Sequence, residues 1–221
     1  LVSFNDPSLM LDVPKGLTAA TGMDAFVQSI EPYVSVDHNP ITDSQCIEAI
    51  KLIETSLREA VANGHNLKAR TKMVEAEMLA GMAFNNANLG YVHAMAHQLG
   101  GQYDAPHGVC CALLLPYVEK YNLIADPQRF AELAEFMGEN TAGLSTRDAA
   151  ELSIRAMKQM SDDVGIPETI KDIGADPKDF ELMAENALKD GNAASNPRVG
   201  TKEDIVKIFQ AAYAGNLDFS F

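Results

Sequence analysis

The chain has 221 residues, enough for one large domain or two small ones at roughly 150 residues each. Hydrophobic residues make up 47% and charged residues 22%, which excludes intrinsic disorder. Acidic residues outnumber basic ones 31 to 17, and the net charge of −14 argues against binding a nucleic-acid backbone or an anionic membrane.

The first four residues, Leu1-Val2-Ser3-Phe4, read like the end of a strand, and residues 1–14 as the end of a preceding domain or a linker. From Pro14 onward nearly every segment carries helical signals. Over Asp43–Ala62 the spacing of Cys46, Ile47, Ile50, Ile53, Leu57 and Val61 predicts one helix, with Gly64 as its stop. Lys68–Leu89 continues the pattern up to Gly90. His93 and His97 fall on a helix that Gly100-Gly101 is expected to end. A loop of about five residues then leads to His107–Tyr121, apolar all round and so predicted as a central buried helix.

Gln128–Met137 ends at Gly138. Thr146–Val164 follows Ser145, a good cap, and stops at Gly165. Lys178–Leu188 follows Asp176-Pro177, and Thr201 opens the last helix, Thr201–Ala214. About eight or nine helices result, with no hairpin signal, repeat or low-complexity linker. The fold class is therefore all-α, a multi-helix bundle over 15–221. No apolar run approaches the roughly 18 residues of a membrane span, and the start has no signal-peptide pattern. Three cysteines, Cys46, Cys110 and Cys111, form an odd set with two adjacent, which fits a reducing cytoplasm better than a disulfide framework.

Three of the five histidines lie close together: His93, His97 and His107. His93 and His97 share a helix face, and the return loop brings His107 back towards them. Imidazole is the commonest protein ligand for transition metals, but core histidines satisfied by protein partners fit the spacing equally well. Asp24 and Gln28 are also four apart, and Asp24 sits among apolar residues. Its carboxylate needs a cation or donors if buried. A helix-dipole role near a helix start is the simpler reading.

Three blocks of sequence add to this. Gly16-Leu17-Thr18-Ala19-Ala20-Thr21-Gly22-Met23-Asp24-Ala25, Ala80-Gly81-Met82-Ala83-Phe84-Asn85-Asn86-Ala87, and His93-Ala94-Met95-Ala96-His97-Gln98-Leu99-Gly100-Gly101 with Pro106-His107-Gly108 resemble the iron-containing (group III) alcohol dehydrogenase family. Asn196-Pro197-Arg198 matches a further block. The resemblance implies the helical C-terminal half of a dehydroquinate synthase-like two-domain fold. It implies an NAD- or NADP-binding domain before residue 1 and a divalent metal, Fe2+ or Zn2+, in this part.

By resemblance, Asp24, His93 and His107 match metal ligands. The family's fourth ligand, usually a His, stands here as Gln28, which would ligate through its oxygen or yield to water. His97 matches a histidine beside the metal and is expected to relay a proton. Leu17 and Thr18 match the loop approaching the cofactor. Phe84 and Asn192 match positions lining the substrate pocket. Cys111 stands where Asn is common and reads as a packing change. The implied activity is NAD(P)-linked interconversion of short primary alcohols or diols with aldehydes, in a homo-oligomer. The competing expectation is a non-catalytic helical module that binds metal or a partner.

Overall fold

The structure is a computed structural model that describes residues 2–220. Ten α-helices and no strands are present among them: α1 Lys15–Val34, α2 Pro40–Glu54, α3 Leu57–Ala62, α4 Leu67–Ala87, α5 Tyr91–Tyr103, α6 His107–Asn122, α7 Pro127–Phe136, α8 Thr146–Val164, α9 Phe180–Ala187 and α10 Lys202–Ala214. Residues 2–6 form no strand, and Leu1 lies outside the described residues. Asp6 and Pro7 start a single 3-10 turn, Pro7–Met10, before α1.

Two helices form the centre. α1 is buried on nearly every side, with Met23, Phe26, Val27 and Ile30 fully covered. Each such side chain contributes roughly 1.5–3 kcal/mol by leaving water. α6 is buried from Cys110 through Glu119, as its apolar sequence predicts. The two helices cross where Gly108 meets the carbonyl of Ala20. A Cβ at Gly108 would overlap that carbonyl, so only glycine permits this approach. α2, α3 and α4 pack on one side of α1. On the other side α6 carries α5, α8 and α10. α4 turns Ala69, Ala76, Ala80, Ala83 and Ala87 inward, and these short side chains let it lie close to α1 and α2.

The caps follow the sequence. Ser145 Oγ accepts the Asp148 amide at the start of α8, and Gly165 ends that helix at φ +80°. Thr201 and Asp204 form a reciprocal capping box on α10. Asp176 caps a 3-10 turn, Pro177–Asp179, which leads into α9 at Phe180.

Two expectations are corrected. The predicted helix over Asp43–Ala62 is two helices, broken at Thr55-Ser56. Thr55 Oγ1 bonds the Lys51 carbonyl at 2.9 Å, and Ser56 Oγ bonds that of Leu52. These hydroxyls take over acceptors of the helical ladder, the competition that makes such residues poor in helix interiors. The second correction is at Gly100-Gly101, which does not end α5. The helix continues to Tyr103, and Asp104 takes the left-handed conformation at φ 51°. Asp tolerates that region because its short polar side chain bonds locally. The loop to α6 is therefore only residues 104–106.

Candidate metal centre

Three helices each bring a pair of side chains four residues apart: Asp24 and Gln28 on α1, His93 and His97 on α5, His107 and Cys111 on α6. Such pairs stack on one helix face. The short loop 104–106 and the α1–α6 crossing at Gly108 aim the three faces at one point. Asp24 Oδ1 lies 3.4 Å from His107 Nε2 and 3.7 Å from His93 Nε2. Cys111 Sγ lies 3.5 Å from His107 Nε2. One ligand atom from each of Asp24, His93, His107 and Cys111 falls within 4.8 Å of all the others.

Cys111 Sγ and His107 Nε2 hydrogen-bond one another, but the other two donors of the cluster have no such partner. Asp24 Oδ1, Gln28 Oε1 and His93 Nε2 are buried without a hydrogen-bond partner among the described residues. An orphaned buried polar atom costs about 1–3 kcal/mol, so Asp24 Oδ1 and His93 Nε2, 3.7 Å apart, need an explanation. A carboxylate, two imidazoles and a thiol suit a divalent transition-metal ion, and the residues present fit one.

The surroundings prepare the donors. Gln28 Nε2 donates to Asp24 Oδ2 at 3.0 Å, which leaves Oδ1 for the cluster. His93 Nδ1 lies 2.5 Å from Glu31 Oε2. That contact fixes the ring with Nε2 inward, the usual support of a metal-binding histidine. Glu31 is only 2% exposed, and its other oxygen accepts the Val92 amide at 2.7 Å. Asn196 Oδ1 accepts the Tyr91 amide at 3.1 Å. Glu31 and Asn196 thus satisfy the first free amides of α5, which Gly90 cannot cap, and set where His93 stands.

Burial opposes a charge on His93, but the Glu31 carboxylate and the facing Asp24 raise its pKa well above the ordinary histidine value. Burial would raise Asp24, yet the imidazoles of His93 and His107 hold its carboxyl below the usual range. Desolvation and the neighbouring rings lower His107 despite Asp24. Burial pushes the Cys111 thiol up to about 12.

His97 stands outside the four-atom cluster. Its ring stacks on His107 with centroids 5.5 Å apart and planes at 24°. Its Nδ1 bonds Asp190 Oδ2 at 2.7 Å, and its side chain is 42% exposed. Asp24 also lines a cleft of about 550 Å3 with Leu17, Thr18, Thr21, Met73 and Glu77. Leu17 is exposed there, and the Thr18 hydroxyl accepts Arg70 Nη1 at 2.8 Å. So Leu17 is not a core residue and Thr18 is not a cap, the plain alternatives to a cofactor-facing role. Phe84 lines a different groove of about 530 Å3 with Asn39, Ile41, Thr42 and Met82. Asn192 sits two residues beyond Asp190, its amide bonded to Asp190 Oδ1 at 2.9 Å.

Sequence reasoning missed Glu31, Asp190 and the position of Cys111 in the cluster. Glu31 left a signal, because it lies seven residues after Asp24, two turns along the same face of α1 and inside an apolar run. Asp190 left none, since 93 residues separate it from His97.

An all-helical domain in which a carboxylate, two imidazoles and a thiol converge is a domain with a candidate metal site. Residues 18–213 match the C-terminal part of the Fe-containing alcohol dehydrogenase family. The chain belongs to that family. It is 63% identical over 212 residues to 1,3-propanediol dehydrogenase of Citrobacter freundii, covering 96% of this chain and 55% of that protein. It is 47% identical over 211 residues to the NAD-dependent methanol dehydrogenase of Bacillus methanolicus, covering 96% and 55%. The solved alcohol dehydrogenase from Oenococcus oeni superposes with a TM-score of 0.93 at 88% identity, covering 94% of this chain and 54% of that one. The chain thus spans about half the length of the relatives it matches.

Proposed function

We propose that this chain is the metal- and substrate-binding part of an NAD(P)-dependent alcohol dehydrogenase that interconverts short primary alcohols or diols with their aldehydes. The observation that carries the reading is the pair of orphaned buried atoms, Asp24 Oδ1 and His93 Nε2, grouped with His107 Nε2, with Asp24 also lining a cleft. Relatives named for 1,3-propanediol and methanol support a small hydroxylated substrate. On this reading residues 15–221 are the metal-binding domain and residues 1–14 lead into it. The nucleotide belongs to the part of the relatives that this chain does not span.

Asp24, His93 and His107 would hold the ion, with Gln28 bearing on it through Asp24 or through its own oxygen. Iron is the first candidate, by the family's name, and zinc the second. A divalent ion at such a site lowers the pKa of an alcohol oxygen and polarises a carbonyl. The chain's own residues do the rest. Leu17, Met73 and Met78 give the cleft an apolar wall that excludes water from a short carbon chain. Leu17 and Thr18 line the same cleft, with Leu17 exposed where a nicotinamide would approach. Asp190 occupies His97 Nδ1 and leaves Nε2 to hold or pass on the proton that alcohol oxidation releases. Partial exposure of His97 gives that proton a way to solvent. Among the described residues no helix is long and apolar enough to cross a membrane. The free state of Cys46, Cys110 and Cys111 supports a cytoplasmic setting.

The test uses His93→Ala and His107→Ala in the full-length protein. Both are expected to lose bound metal and turnover of 1,3-propanediol with NAD+. Unchanged metal content by elemental analysis in both variants would overturn the reading.

A further inference from the structure

We propose that the Cys111 sulfur is a protein ligand of the metal, completing a carboxylate, two-imidazole, one-thiolate set with Asp24, His93 and His107. The inference rests on the metal-site reading above and adds a donor to it. A tetrahedral ion with bonds of 2.0–2.3 Å holds its donors roughly 3.3–3.8 Å apart. The separations are 3.4 Å for Asp24 Oδ1 to His107 Nε2, 3.5 Å for Cys111 Sγ to His107 Nε2 and 3.7 Å for Asp24 Oδ1 to His93 Nε2. These three separations fall in that range with the sulfur included, and all four donor atoms lie within 4.8 Å of one another. His93 Nε2, on a side chain 3% exposed, supplies the independent sign of a ligand, since no described residue hydrogen-bonds it.

Cys111 and Gln28 differ in what they can offer. The Gln28 amide nitrogen already serves Asp24 Oδ2, and its oxygen is a neutral, weak donor. A thiolate is charged and strongly favoured by borderline ions. Cys111 is fully buried one turn along α6 from His107, on the core side of the cluster. Asp24 also lines the cleft, whereas Cys111 does not. The thiol proton leaves to solvent when the ion binds, and no oxidation change accompanies it. With Asp24 and Cys111 together, two negative charges meet a 2+ ion. Soft donors of this kind favour Zn2+, Fe2+ and Co2+ over Mg2+.

The experiment titrates Co2+ alone into the full-length, metal-stripped protein. A near-ultraviolet thiolate-to-cobalt charge-transfer band is expected to saturate at one ion per chain, counted by equilibrium dialysis. It should persist in Cys110→Ser and Gln28→Ala and vanish in Cys111→Ser, which should still bind Co2+ with affinity lowered roughly 10–100-fold. X-ray absorption on the unmodified protein should show one sulfur at about 2.3 Å, and needs no variant to fold. Stoichiometric Co2+ with no band and no sulfur shell would overturn the inference while leaving the metal-site reading standing. A band surviving in Cys111→Ser would overturn it equally. No Co2+ bound at all would remove both.

Discussion

Glu31 on α1 and His93 on α5 meet as a buried carboxylate–imidazole pair, two helical turns from Asp24 on the face that points at the cluster. The same carboxylate caps the Val92 amide. One side chain therefore fixes where α5 begins, how the His93 ring lies and how much negative charge stands behind it. Glu31→Gln keeps the shape and removes the charge. Metal affinity is expected to fall roughly 10–100-fold, the usual cost of losing such a support. Glu31→Ala should lose more and also destabilise the fold, because the buried Val92 amide is left unpaired. Competition with a chelator measures the first effect. Equal affinities in Glu31→Gln and the parent would remove Glu31 from the site.

His97 is separable from metal holding. It stacks on His107 but bonds Asp190. His97→Asn is expected to lower kcat by about 10²–10⁴-fold, the range for a lost proton-transfer group, with metal content unchanged. Asp190→Asn should lower kcat less, because the ring stays while its orientation and tautomer loosen. Parallel elemental analysis and turnover across pH decide it. Loss of metal in His97→Asn would make the residue a structural part of the centre.

Much of this arrangement was legible in the residues themselves. The helical period marked α6 as central, and Ser145, Gly165 and Thr201 marked helix ends, because these signals act within a few residues. The i, i+4 histidines placed α5 in the site for the same reason. What failed was where local rules compete or where contacts span the chain. The Thr55 and Ser56 hydroxyls broke a helix whose apolar period ran straight through them. Gly100 and Gly101 stayed helical because the buried His93, Met95 and Leu99 ahead of them hold α5 in place against a propensity cost of about 1 kcal/mol per glycine. Asp190 and Asn196 reach their partners only through the folded chain.

Gly108 tests whether helix spacing sets the metal geometry. Its Cα lies against the Ala20 carbonyl, and a Cβ there must push α6 from α1. His107 precedes it, and Asp24 is one turn beyond Ala20. Gly108→Ala is expected to destabilise the protein by about 1–3 kcal/mol, the usual range for overpacking. It should weaken metal binding more than a surface change of equal stability cost, since it widens the 3.4 Å separation of His107 and Asp24. Gly101→Ala is the control. Nothing lies within 4 Å of a Cβ built there, and a helical glycine replaced by alanine gains stability. Denaturant melts beside metal titrations of the two variants would separate spacing from stability.

Glu119 gives the fold a pH dependence of unusual sign for a carboxylate. It lies fully buried in α6, with Oε1 unpartnered among the described residues and Oε2 accepting the Asn122 side-chain amide at 3.2 Å. Burial, reinforced by the charge of Glu31, raises its pKa from 4.5 to about 8. Between these values the folded chain keeps a proton that the unfolded chain gives up. Stability is therefore full below the unfolded value and declines as pH rises through the window, levelling off above the folded pKa. Each unit of displacement corresponds to about 1.4 kcal/mol. Glu119→Gln is neutral at every pH and fills the same volume. Its Tm should vary less between pH 5 and pH 8 than the parent's, with the difference between the two proteins largest at the upper end. Scanning Tm at fixed ionic strength on metal-stripped protein isolates the effect from the centre. If both proteins lose Tm with the same slope across that range, the proton is not on Glu119.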